Sequence, residues 1–412
     1  MHSLPLASPA CRAALLLAMA GLAAGPAPAS GTRVGFKDAF AMARGNAFVA
    51  TADNPSAVYY NPAGLTQLDG ARLSASVYAV RLSSDYRGAA GTASLDAGFQ
   101  TIPQTFFGWH QPGEAWACGF GVYLPFGLST DWPKGRETIP PSPLRTHATH
   151  NEERYVTFNP VFAWQFTPAL SIGGGLTYNR LNVDLQRELG ITSALTDLLR
   201  FKADGDTFGF NCGLLWKPAP EHAFGLSYQH HTSIKLNGTT DTVPLVPGTE
   251  PSSSRFAFPE VVIVGYSYRP TSQWNIEANL DWTNWDRVKT FTIAKPSGPL
   301  PLPFNWKSGC FYELGVTRWL GSHWNVSGGW LYTEDSTPDA TYTPAVPDSN
   351  RAFYSLGAGY TTSRFSAMLA WHEGVSSTRT VSGSPPSLIG ATADGTYKNS
   401  LRAFALSAEW RF

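Results

Sequence analysis

The sequence predicts an all-β fold: a transmembrane antiparallel β-barrel of about fourteen strands with a small N-terminal helical hatch in its lumen. Three observations predict it. A short apolar leader opens the chain, a train of alternating strand-like segments follows, and the connections between those segments alternate short and long without exception.

The leader comes first. Arg12 supplies a weak positive region, Ala13 to Ala24 an unbroken apolar run, and Ala27-Pro28-Ala29 a small-x-small cleavage site. Residues 1–29 read as a signal peptide, with the mature chain beginning at Ser30. No later segment approaches ~18 consecutive apolar residues, the length a spanning helix needs. Any crossing of a membrane must then use strands closed into a barrel, which also satisfy every backbone group within lipid. Net charge is zero and only 15% of residues are charged, against the basic excess of a nucleic-acid binder. With 43% hydrophobic residues the chain is not a disordered one. Of four cysteines, Cys118, Cys212 and Cys310 lie beyond the leader. An odd, widely spaced set is no disulfide framework, and each reads as a small buried hydrophobe within a strand.

The strands are read by alternation and turn punctuation. They fall at 72–80, 101–110, 115–124, 154–166, 169–187, 206–217, 222–236, 255–269, 273–291, 307–320, 323–333, 351–362, 364–373 and 400–412. Tight connections such as Gln111-Pro112-Gly113 and Leu320-Gly321-Ser322 alternate with long ones at 81–100, 125–153, 188–205, 237–254, 292–306, 334–350 and 374–399. Outer-membrane barrels have short periplasmic turns and longer outside loops, whereas a soluble sandwich has no reason to sort its loops by length. In the last strand Phe404, Leu406, Ala408, Trp410 and Phe412 form one face, and Ala403, Ala405, Ser407, Glu409 and Arg411 the other. That is a lipid face backed by a lumen face. Trp109, Trp116, Trp164, Trp216, Trp274, Trp319 and Trp324 cluster beside tight turns, where an interfacial aromatic girdle belongs.

Residues 30–71 do not alternate. Asn54-Pro55 and Asn61-Pro62 each place an N-cap before a proline at the first helical position, and Asp38 to Arg44 is a further helical stretch. The apolar content, including Phe36, Phe40, Val58, Tyr59 and Tyr60, suits burial, so this segment is expected to fold into the lumen as a plug ahead of a barrel over 72–412.

With these elements placed, the chain resembles the FadL family of outer-membrane transporters. Ala52 to Leu65 is similar to the family's hatch motif, with Asn61-Pro62-Ala63 at its core. Leu124-Pro125-Phe126-Gly127-Leu128 with Trp132, Phe208-Gly209-Phe210-Asn211 with Trp216-Lys217-Pro218, Asp281 to Trp285 and Pro347 to Arg351 carry the rest. Phe412 resembles the C-terminal aromatic signal of such barrels, which implies the barrel assembly machinery as a partner, beside outer-membrane lipid. The resemblance implies passive transport of hydrophobic molecules, long-chain fatty acids or aromatic hydrocarbons. Passage would run through a plugged barrel with a side exit near a kinked third strand, without cofactor or metal.

For a ligand groove the sequence offers the 189–201 loop, where Leu189, Ile191, Leu195, Leu198, Leu199 and Phe201 make an apolar, helix-like patch. An exposed apolar patch marks an interaction site, and the alternative is a lid packed on its own barrel. Arg154, Arg180 and Arg351 near strand mouths are candidate carboxylate partners, since Arg binds carboxylates bidentately. Each could equally belong to a lumen ladder of Arg with acids. A general diffusion porin would lack the hatch. A barrel enzyme would need a nucleophile and base. The one tempting pair, His230-His231, should point to opposite faces of a strand. The GxG runs at 173–175 and 357–359 lie within strands with no helix after them, so they do not bind nucleotides.

Overall fold

The structure, a computed structural model, describes residues 31–96, 98–134, 141–191 and 197–412. The leader and Leu195 of the expected groove lie outside those residues. The wall has fourteen strands: β1 (Gly70–Gly88), β2 (Gly91–Asp96 continuing as Gln100–His110), β3 (Trp116–Asp131), β4 (His150–Thr167), β5 (Leu170–Arg187), β6 (Leu198–Ala219), β7 (His222–Gln229 continuing as Thr232–Val243), β8 (Val246–Phe258 continuing as Val261–Thr271), β9 (Trp274–Thr283), β10 (Gly309–Leu320), β11 (Trp324–Thr333), β12 (Arg351–Thr361), β13 (Phe365–Ser376, with Arg379–Val381) and β14 (Gly395–Arg411). Each pairs antiparallel with the next. β14 returns to β1 from Arg72↔Arg411 to Arg87↔Thr396, so the strand order closes into a barrel.

The period-two pattern sets the two faces. On β14, Phe404, Leu406 and Trp410 are exposed, while Ala403, Ala405, Ser407 and Glu409 are buried. Tryptophans line the short-turn rim, Trp109 meeting Trp116 at 4.8 Å and Trp324 meeting Tyr360 at 4.9 Å. The three cysteines correct the expectation of burial. Their positions on β3, β6 and β10 face outward, and Cys212 is exposed. In lipid a thiol on that face is already in an apolar medium, so burial in a core is not required of it.

Several segments differ from the alternation-based reading. β1 runs to Gly88 and Gly91–Asp96 pairs back on it, so most of the expected loop 81–100 is strand. β6 begins at Leu198 and not 206, so Leu198, Leu199 and Phe201 are extended wall, not a helix-like loop. The expected loop 237–254 is the upper part of β7 and β8, laddered from Phe258↔Thr232 to Thr249↔Asp241. Above the lipid the outward positions turn polar, which hid these strands. β9 stops at Thr283. Beyond one turn of 3-10 helix at Trp285–Arg287, a separate hairpin pairs Thr290–Ile293 with Leu300–Pro303. Its Phe291 and Ile293 keep the alternation but pack on the barrel's apolar cluster with Phe258 and Phe201. Finally, His230 and His231 sit where β7 is interrupted, and their rings stack at 4.1 Å instead of pointing apart.

Residues 31–68 lie inside the wall. α1 (Ala39–Ala43) is capped by Asp38, which accepts from Phe40 N at 2.7 Å. α2 (Ala57–Tyr60) begins two residues later than expected, with Ser56 and not Asn54 at its N-cap, and the Asn54 side chain accepts from Ser56 N at 2.9 Å in the turn ahead of it. A 3-10 turn (Pro62–Gln67) has Asn61 as N-cap, accepting from Ala63 N at 3.2 Å, with Pro62 at its first position. Phe36, Tyr59 and Tyr60 are buried and Phe40 packs against them. This segment seats in the short-turn half of the barrel on inward glycines. A side chain at Gly173 would strike the Pro62–Ala63 backbone, at Gly225 that of Val49, and at Gly329 that of Arg44 and Gly45.

One wall holds it by charge. The inward residues of β9, Asn275, Glu277, Asn279, Asp281 and Thr283, are all buried and polar. Arg33 binds Asp281 through both oxygens at 2.7 Å. Arg44 reaches Glu277 at 3.0 Å and Asn275 at 2.6 Å, and Asn46 donates to Glu313 at 2.8 Å.

Candidate functional site

Two adjoining cavities lie on the long-loop side of the inserted segment. The outer one, about 360 Å³, is walled by Leu181, Val183, Leu185 and Leu199 of β5 and β6, by Phe291, Ile293, Leu302 and Phe304 of the hairpin, and by Tyr342, Val346 and Leu388 of the last two long loops. The inner one, about 480 Å³, is lined by Phe36, Tyr78, Ile102, Phe311, Leu331 and Phe353, with Arg351 among them. Thr32, Glu152, Glu153 and Val346 belong to both. Thr32 donates to Glu153 at 3.1 Å across that border.

The inner cavity reaches a break in the wall. β2 and β3 stay laddered only from His110↔Ala117 to Thr105↔Val122. The β3–β4 register slips between Tyr123 and Phe126, where Pro125 has no N–H to give a ladder. Beyond the slip β3 bonds inward to the N-terminal strap: Val34 N donates to Pro125 O and Gly127 N to Thr32 O, both at 2.9 Å. Lys37 Nζ also donates to Leu124 O at 2.8 Å. β2 is left without a ladder partner on that side over residues 100–104, among the described residues. Gln100 alone crosses, donating to Ser129 O at 2.8 Å.

The sequence-derived residues distribute unevenly over this path. Leu199 lines the outer cavity, Phe201 is buried behind it against Phe291, Leu189 is buried, Leu198 is half-buried and Ile191 is exposed at the surface. They form a packed wall more than an open patch. The exposed apolar lip is instead Leu388 and Ile389. Inward positions on β4 and β5 carry odd numbers, so Arg154 and Arg180 lie on the outward face, paired with Glu152 at 2.9 Å and Asp204 at 3.2 Å. Arg180 is thereby corrected, whereas Arg154 still borders the inner cavity, together with Gln100 and Ser129. Arg351 faces in. Its Nε donates to Ser376 at 2.9 Å and its guanidinium lies 5.7 Å from the Phe353 ring centre. Its two terminal nitrogens have no hydrogen-bond partner among the described residues.

Sequence reasoning missed Arg187. It shares the inward face of β5 with Leu181, Val183 and Leu185 and borders the outer cavity, with no ion pair among the described residues. Nearby, burial lowers the pKa of His147, so its ring is neutral at neutral pH. The alternation of β5 to Arg187 was the available signal for that arginine. Among the described residues no group of three or more His, Cys, Asp or Glu is placed to hold a metal.

Comparison with known proteins agrees with this geometry. A Pseudomonas aeruginosa FadL homologue superposes with TM-score 0.82 at 19% identity, covering 93% of this chain and all of that one. The Ralstonia pickettii toluene transporter TbuX gives 0.69 at 18%, covering 91% and 98%. The long-chain fatty acid transport protein of Escherichia coli O6:H1 is 22% identical over 365 residues, 76% of this chain and 78% of its own. The model of the outer membrane protein transport family (OMPP1/FadL/TodX) matches residues 16–412, and the chain, an outer-membrane barrel, belongs to that family of hydrophobic-substrate transporters.

Proposed function

We propose that the protein is a passive channel for long-chain fatty acids. The acid enters the outer cavity, rests in the inner one with its carboxylate on Arg351, and leaves sideways between β2 and β3. Residues 31–68 act as the plug that keeps the barrel from being an open pore. The observation that carries the reading is Arg351, an inward guanidinium whose terminal nitrogens have no hydrogen-bond partner among the described residues, in a chamber walled by Phe36, Tyr78 and Phe353 and bordered by Glu153 and Asp348. Alkyl burial contributes about 0.8 kcal/mol per CH2, enough to draw a long chain from water, and a charge-assisted bidentate pair orients its head. No nucleotide or metal enters this scheme, and no reaction is needed. Phe412, exposed at the short-turn rim with its N–H on Ala71 O at 2.9 Å, is on this reading the mark taken by the assembly machinery.

A second reading rests on the ring of Phe36, which lies 5.6 Å from that of Tyr78 and 5.9 Å from that of Phe353. Such walls suit an aromatic hydrocarbon, which needs no cation. Binding of oleate and toluene to wild type and to Arg351→Ala separates the two. Losing a hydrogen bond to a charged group costs about 1.5–3 kcal/mol, so oleate should weaken about 10- to 100-fold while toluene does not. Equal oleate affinity in both proteins would leave the hydrocarbon reading standing.

A further inference from the structure

The lipid-facing surface carries a site of its own. On the upper, polar parts of β7 and β8, Lys235 and Arg255 are direct cross-strand partners. Both are outward and exposed. Cβ atoms of directly opposed residues stand about 4.5–5.5 Å apart, and like charges in that arrangement destabilise a sheet. Neither cation has an ion pair among the described residues. Arg255 makes one long hydrogen bond, to Ser233 at 3.4 Å. Of the carboxylates on the neighbouring outward face of β6, Asp204 is bound by Arg180 at 3.2 Å, and Asp206, opposite Arg180 in register, pairs with neither cation.

The position explains why such a pair is kept. On β6 the exposed Phe208 and Phe210 continue the apolar belt below this level, and Arg180 opposite Asp206 marks its end. The long loops place this end at the outer leaflet. A molecule that meets both surfaces has an anionic head above and acyl chains below. We propose that Lys235 and Arg255 bind a phosphate group of an outer-leaflet lipid, with the guanidinium as fork and the ammonium as point charge. Its acyl chains lie along Phe208 and Phe210. Lys202, also outward and exposed, stands opposite Thr239, two outward positions above Lys235, where a second phosphate on the same head would fall. The bound lipid lies outside the wall and is distinct from the transported molecule.

The test uses the full barrel reconstituted in vesicles of a neutral, phosphate-free lipid containing a phosphorylated glycolipid, the same glycolipid after phosphatase treatment, or neither with inorganic phosphate in the buffer. The readouts are the unfolding midpoint and the glycolipid phosphorus retained on repurification in detergent. Wild type should be stabilised by, and retain, only the phosphorylated lipid. Lys235→Gln with Arg255→Gln should lose both effects, and Lys235→Arg should keep them. Equal retention by the double variant, equal stabilisation by the dephosphorylated lipid, or the same gain from inorganic phosphate alone overturns the proposal. Oleate binding is read on the same samples and should be unchanged in the double variant, so failure here is distinguishable from failure at Arg351.

Discussion

At the scale of single residues, the interior is decided by what is missing from glycine and by what is paired with arginine. Neighbouring glycines on β11 show the first point. Gly329 faces in, where any side chain would collide with the backbone of Arg44 and Gly45, while Gly328 faces out and a methyl there would meet only Leu356 at 3.6 Å. Gly329→Val should therefore displace the inserted segment and raise single-channel conductance of the purified barrel, and Gly328→Ala should not. Conductance unchanged by Gly329→Val would mean the segment does not seal the lumen. The ion pair of Arg44 with Glu277 is fully buried, and removing one member of such a pair costs about 3–5 kcal/mol. The GxG runs at 173–175 and 357–359 were legible as strand, but their purpose was not. Gly357 abuts Ala43 and Gly173 abuts Pro62, contacts set by a segment over a hundred positions away. Arg180 was misassigned for a different reason. One step along a strand reverses the face, so a residue near a mouth has no face until register is known.

At the scale of elements, the tight turns and the cap at Asn61 were readable because turn chemistry is local. The strap at Thr32–Val34, the hairpin at 290–303 and the upper reaches of β6 to β8 were not, since their partners are distant and their outer faces polar. The loop over 334–350 illustrates how such an element is held. Ser336 donates to Asp348 through N at 2.6 Å and Oγ at 2.8 Å, and Arg379 grips Thr337 and Asp339 at 2.9 and 2.6 Å. Its Tyr342 and Val346 wall the outer cavity. Burial, and then the nearby Asp348, push the Asp335 carboxyl up to about 6. A carboxyl raised above its unfolded value stabilises the folded loop in its protonated form. The contribution is whole below the ordinary Asp range and is lost as pH rises through about 6. Protease nicking within 334–350 should accordingly be faster at about pH 8 than at about pH 5, and Asp335→Asn should flatten that dependence. Equal rates in wild type would show that the carboxyl does not govern the loop.

For the whole molecule, the fourteen-strand wall was legible because alternation, loop sorting and closure are each redundant along the chain. The path through it was not, because a cavity belongs to no segment. Its layout is asymmetric. The inserted segment is tied by Arg33, Arg44 and Asn46 to β9 and β10, while the break lies between β2 and β3 and is spanned by the strap and Gln100. Moving the whole plug would strand buried charges in the lumen. Parting the break would cost a few hydrogen bonds at its rim. The proposed sideways exit is thus the cheaper one, and it can be locked. Take a background with Cys118, Cys212 and Cys310 replaced by serine, place cysteines at Gln100 and Ser129, and link them with a short bismaleimide. Uptake of labelled oleate should then stop while oleate binding to the purified barrel persists. The same linker across Ile276 and Val316, cross-strand partners in an unbroken ladder, should leave uptake intact. Undiminished uptake with the β2–β3 break linked would redirect the path through the plug, and the charges on β9 would then have to be its moving contacts.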